Sequence, residues 1–116
     1  MLKFAGRLLG ILIRWSYNHA LLQKYEGIKI CDVINSDETQ SHIFLTQTIA
    51  ALEMIKKHDL RRFHRVQKHL DYVVNCRILQ GALYNPQLRS CEVDFSKLQI
   101  LDIDEDMLVM IFLKHL

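Results

Sequence analysis

An α+β fold is what this sequence predicts, and three observations predict it. Apolar residues recur at helical spacing in residues 2–23, 37–57 and 59–70. β-Branched and aromatic residues cluster or alternate in residues 28–34, 72–78 and 91–95. Turn-forming residues, Glu26-Gly27, Asn35-Ser36-Asp37 and Asn85-Pro86, fall between these segments. The expected architecture is an amphipathic N-terminal helix, two central helices, a small antiparallel hairpin or sheet and a C-terminal apolar helix. With 116 residues, 50% hydrophobic content, one Pro and four Gly, the chain suits a basic helix over residues 1–25 followed by a single small domain over residues 26–116, with no linker or disordered tract.

The first segment reads as a helix to about Gln23 because Lys3, Arg7, Gly10, Arg14 and Asn18 follow steps of four, three, four and four, one narrow polar stripe. Leu8, Leu9, Ile11, Leu12, Ile13 and Trp15 make the broad apolar remainder. Arg7 and Arg14 bracket a run too short to span a bilayer, and no small-x-small cleavage site follows it as a secretory signal requires. Two readings stay open: a helix lying on an anionic membrane surface through Lys3, Arg7, Arg14 and Trp15, or one packing on the domain or a partner protomer.

Residues 28–34 form a short strand, after which Asp37 with Gln40 resembles a capping box opening a helix to about Lys57. Its buried stripe is Leu45, Ile49, Leu52 and Ile55, with Phe44 and Ala51 beside it. Asp59 caps a further helix in which Leu60, Phe63, Val66 and Leu70 recur beneath cationic side chains. A strand from Tyr72, the turn at Asn85-Pro86, and Cys91, Val93 and Phe95 alternating onto one face give a hairpin. Asp102, Asp104, Glu105 and Asp106 open a final buried helix through Met107 to Leu113, where acids suit the positive end of the dipole.

The formal net charge is only +2, which does not imply nucleic acid, but the charges are segregated. No acid precedes Glu26. Residues 56–69 hold Lys56, Lys57, Arg61, Arg62, Arg65 and Lys68 against Asp59 alone, and residues 92–106 hold six acids against Lys97. Arg61, Arg62, Arg65 and Lys68 form a candidate surface for anionic partners. Without aromatic interleaving, a solvated face, or one paired with the acids around Asp102, is the plainer expectation. Cys31, Cys76 and Cys91 form no close pair and fit a reducing compartment, so a cytoplasmic location is expected, peripheral to the membrane if the first helix binds there. Cys76 and Cys91 are expected as small buried thiols that face each other across the hairpin at most. Exposed apolar helices leave room for a protein partner or a homo-oligomer.

No glycine-rich phosphate loop, nucleophile elbow or cysteine pair is present, so no catalytic or cofactor-binding residue is assigned. His64 and His69 are five apart and diverge on a helix, which does not suit a shared metal. Residues 51–55, 58–66, 72–75, 84–86 and 89–95 nonetheless resemble the upstream part of uncharacterised bacterial zincin-like putative metallopeptidases, the likeness running from Ile49 to the C-terminus. That resemblance implies a hairpin followed by a helix bearing H-E-x-x-H, in which two histidines bind zinc and the glutamate activates water. His115 stands where the first zinc histidine is implied, but Leu116 occupies the glutamate position. The expectation is therefore a truncated, non-catalytic zincin-like chain without a cofactor, zinc entering only if the missing motif is supplied elsewhere. The alternatives are a zinc metallopeptidase fragment needing further C-terminal sequence, and a small adaptor binding anionic partners through its basic helix.

Overall fold

The structure, a computed structural model, describes residues 2–34, 37–100, 109, 111 and 112, with side chains for 8–34, 37–97, 109, 111 and 112. Leu2–His19 forms a helix (α1), and the chain then turns directly into a hairpin of Leu21–Tyr25 (β1) and Ile28–Asp32 (β2). The first helix therefore stops four residues short of the expected Gln23. Glu26 and Gly27 have φ of 50° and 84°, the left-handed pair that a two-residue hairpin connection needs. Once that turn forms, Leu21–Tyr25 gains ladder hydrogen bonds that outweigh continuation of a helix.

Glu38–His58 (α2) begins at Asp37, whose side chain accepts from the Gln40 amide at 2.8 Å. Leu60–His69 (α3) begins at Asp59, whose carboxylate accepts from the Arg62 amide at 3.1 Å. Both caps stand where the sequence places them. Tyr72–Asn75 (β3), Ala82–Asn85 (β4) and Ser90–Val93 (β5) follow, then Phe95–Ile100 (α4). The five strands form one sheet in the order β1-β2-β3-β5-β4, so the fold is α+β. The hairpin around Asn85-Pro86 is β4 with β5, whereas β3 runs parallel to both its neighbours, β2 and β5. The sheet is thus larger than a hairpin, and mixed. Parallel pairing of β2 with β3 needs a long crossover, which α2 and α3 supply.

Each face of the sheet is covered. Ile28, Ile30, Val73, Cys91 and Val93 pack under α2 and α3 with Phe44, Leu52, Ile55, Phe63, Val66 and Leu70. On the opposite face Cys31, Tyr72, Val74 and Leu88 cluster with Tyr17 of α1. Two-sided burial explains why Tyr72-Val73-Val74 is continuously apolar rather than alternating. It also separates Cys91 from Cys76, which belong to clusters on opposite faces instead of facing each other.

The buried stripe of α2 is Phe44, Thr48, Ala51, Leu52 and Ile55, with Leu45 and Ile49 only half-buried, a rotation of the expected stripe toward Phe44. The reason is an edge-to-face contact of Phe44 with Phe95, ring centroids 5.4 Å apart. Phe95 does share the core face with Cys91 and Val93, but it opens a helix instead of extending the strand. Asp94 causes that switch. One carboxylate oxygen accepts from Ser96 Oγ and the Lys97 amide, and the other from the Ile78 amide, tying the β3–β4 loop to the start of α4. Burial pushes its carboxyl up, but these hydrogen bonds outweigh burial and hold it below the usual carboxylate range. The acids at 102–106 lie outside the described residues. Val109, Ile111 and Phe112 have helical backbone, and Phe112 is buried in the core under α2 and α3.

Candidate functional site

Helix α1 touches the sheet along a narrow side. Tyr17 is buried, Ile13 and Ala20 are half-buried against the same cluster, and Gly10 lies 3.7 Å, measured from where a Cβ would be, from a Leu88 methyl. At 100° per residue the opposite side carries Leu8, Ile11, Leu12 and Trp15, with Leu9 at the border of the packed side, and all five are 49–64% exposed. The expected polar stripe borders the packed side along one edge, where Gly10 itself meets Leu88. Arg14 is exposed on it and donates to the Gln87 carbonyl at 3.2 Å, while Lys3 and Arg7 occupy earlier turns of the same helix. Trp15 packs edge-on against His19, centroids 4.1 Å apart, which stiffens the exposed face. The helix therefore both packs on the domain and keeps its larger apolar face outside.

Polar contacts hold the C-terminal half of α1 in place. Tyr17 Oη donates to Glu92 Oε1 at 2.5 Å, and its ring lies 5.4 Å from that of Tyr72. Asn18 Oδ1 accepts from Lys29 Nζ at 3.2 Å and from Tyr72 Oη at 3.3 Å. Burial raises the Tyr17 phenol well above its ordinary value, and the Glu92 carboxylate adds to the shift by accepting its proton and by its charge. This clasp is absent from the sequence reading, because nothing in residue spacing links position 17 to position 92.

Nucleophilic chemistry finds no support around it. Burial pushes the Cys76 thiol up to about 12, with Glu92 and Asp94 adding repulsion. Cys91 is pushed to about 12 by burial and by Glu92, and Cys31 to about 11 by burial against a small opposing effect of Lys29. Thiols held protonated at neutral pH are poor nucleophiles.

On the far side of the sheet, Arg61, Arg62, Arg65 and Lys68 are all exposed on α3. Arg62 Nε lies 3.4 Å from Asp59 Oδ2, so it points away from the other three. The acidic segment around Asp102 expected to face them lies outside the described residues. His115 does too. Among the described residues no three His, Cys, Asp or Glu side chains converge as a metal ion requires. The sequence contains no H-E-x-x-H, so the ligand set that the resemblance implies is not among its residues. No helix among the described residues is long and apolar enough to cross a membrane. Comparison with family models, curated proteins and solved structures finds no match.

Proposed function

We propose that this chain is a binding module that lies on an anionic membrane surface through the outward face of α1. The observation that carries the reading is the exposure of Leu8, Ile11, Leu12 and Trp15 on the side of α1 away from the sheet, extended by exposed Leu9 at the border of the packed side. Contiguous apolar surface of this kind marks an interaction site. Half-exposed side chains entering the headgroup region contribute on the order of 1 kcal/mol each. Apolar contact of that size gives reversible attachment and needs a second, electrostatic attraction to hold. The basic composition before Glu26 supplies it, each cation near an anionic surface adding about 1 kcal/mol. On this reading the chain is a truncated zincin-like protein to which no activity is carried over, and its attachment to a surface needs no metal site.

Trp15 is the only tryptophan, so its emission reports on this face alone. Vesicles containing phosphatidylserine should shift that emission to the blue and carry the protein upward in flotation, and pure phosphatidylcholine vesicles should do neither. Leu8→Glu with Leu12→Glu, both outside the core, should weaken attachment by more than about 10-fold while the fold persists. An unchanged spectrum with anionic vesicles would sink the proposal. So would a blue shift that follows protein concentration without lipid, which would assign the face to a second copy of the chain.

A further inference from the structure

The acids flanking α3 are already engaged. Glu26 Oε1 lies 3.0 Å from Lys56 Nζ, Asp59 Oδ2 lies 3.4 Å from Arg62 Nε, and Asp71 Oδ1 lies 3.4 Å from Arg89 Nη2. Arg61, Arg65 and Lys68 make no ion pair among the described residues. Spacings of four and three bring them within an arc of about 60° on the helix, opposite the buried Phe63 and Val66, and within about 10.5 Å along its axis. The helix itself, LRRFHRVQKH, contains no acidic residue. Among the described residues the fold thus pairs Lys56, Arg62 and Arg89 and leaves Arg61, Arg65 and Lys68 in one row.

We propose that this row contacts the phosphate backbone of duplex nucleic acid without reading its sequence. The low net charge does not bear on such contact, because attraction depends on the local row of cations and the counterions it releases. Two of the three groups are guanidinium ions, whose planar fork matches phosphate oxygens in pairs. α3 itself exposes no Phe, Tyr or Trp, which argues against single strands, where binding relies on base stacking, and leaves the duplex backbone as the fitting target. α3 and α1 cover opposite faces of the sheet, so a lipid surface on one leaves the other accessible, and neither proposal depends on the other.

The test is fluorescence anisotropy of a labelled DNA duplex titrated with the whole chain at several salt concentrations. Three phosphate contacts give a slope of log K against log salt of about −2.7, or roughly a 40-fold loss of affinity between about 50 and about 200 mM. Arg61→Ala with Arg65→Ala should bring the slope to about −0.9, a loss of only about 3- to 4-fold over the same range. Arg62→Ala should leave the slope unchanged, because Arg62 stays with Asp59. No binding at the lowest salt, a slope indifferent to the double variant, or an equal effect of Arg62→Ala would each overturn the proposal. Competition by polyglutamate as strong as by duplex would overturn it too, giving the row to an acidic protein.

Discussion

Among the described residues of α1, Tyr17 is the one whose side chain is buried in the core, and it is so with a phenol hydrogen-bonded to a carboxylate. Its raised pKa has a consequence for stability. The folded state holds the neutral phenol more firmly than the unfolded chain does, and burial does the same for the thiols of Cys31, Cys76 and Cys91. For groups raised in this way the stabilisation is complete below the ordinary values, 9.0 for a thiol and 10.0 for a phenol, and is lost as pH rises toward the folded values. The urea midpoint should therefore hold steady at neutral pH and fall as pH rises through 9.0 and then 10.0. Tyr17→Phe should flatten the part of the fall above pH 10, while costing about 1–3 kcal/mol at neutral pH by leaving Glu92 without its donor. A midpoint independent of pH up to 11 would refute the assignment.

At the scale of elements, α3 shows how far periodicity carries. Leu60, Phe63, Val66 and Leu70 recur at helical spacing, yet only the last three are buried, and Leu60 is 54% exposed. Leu60 sits in the first turn after the Asp59 cap, where the chain is still entering from α2. Phe63→Ala should cost about 3–5 kcal/mol by opening a cavity beside Tyr25, whose ring meets Phe63 edge-on at 6.2 Å. Leu60→Ala should change stability by less than about 0.5 kcal/mol, as surface substitutions do. Chemical denaturation of the two variants separates them, and equal losses would mean that Leu60 is covered in solution. In α1 the same periodicity predicted one polar stripe and left open which apolar side meets the sheet. Helical spacing orders side chains around an axis, but only packing selects the side that turns inward.

For the molecule as a whole, the strand order decides where stability concentrates. β2, β3 and β5 lie inside the sheet with ladder bonds on both sides, and β3 carries apolar side chains on both faces, whereas β1 and β4 are edges. Amide hydrogen exchange should be slowest in Val73, Val74 and their β2 and β5 neighbours, and fastest in β1 and in the early turns of α1, which are held by side-chain contacts at the other end of the helix. Uniform protection across the sheet would contradict this ordering. The sequence by itself determined the α+β class, both helix caps, the positions of α2 and α3, the turn at Asn85-Pro86 and the candidate cations, because caps, turns and periodicity are written within a few residues of each other. It paired the strand from Tyr72 with residues 91–95 as a hairpin, however, where the structure runs them parallel and makes the hairpin from β4. Tertiary structure alone decided that residues 21–25 pair with β2, that β3 lies between two parallel neighbours, that Tyr17 meets Glu92 and that three cations of α3 stay unpaired among the described residues while Arg62 is taken by Asp59. Those outcomes join residues far apart in the chain or depend on which of several nearby acids a cation reaches, and no local spacing encodes such a choice.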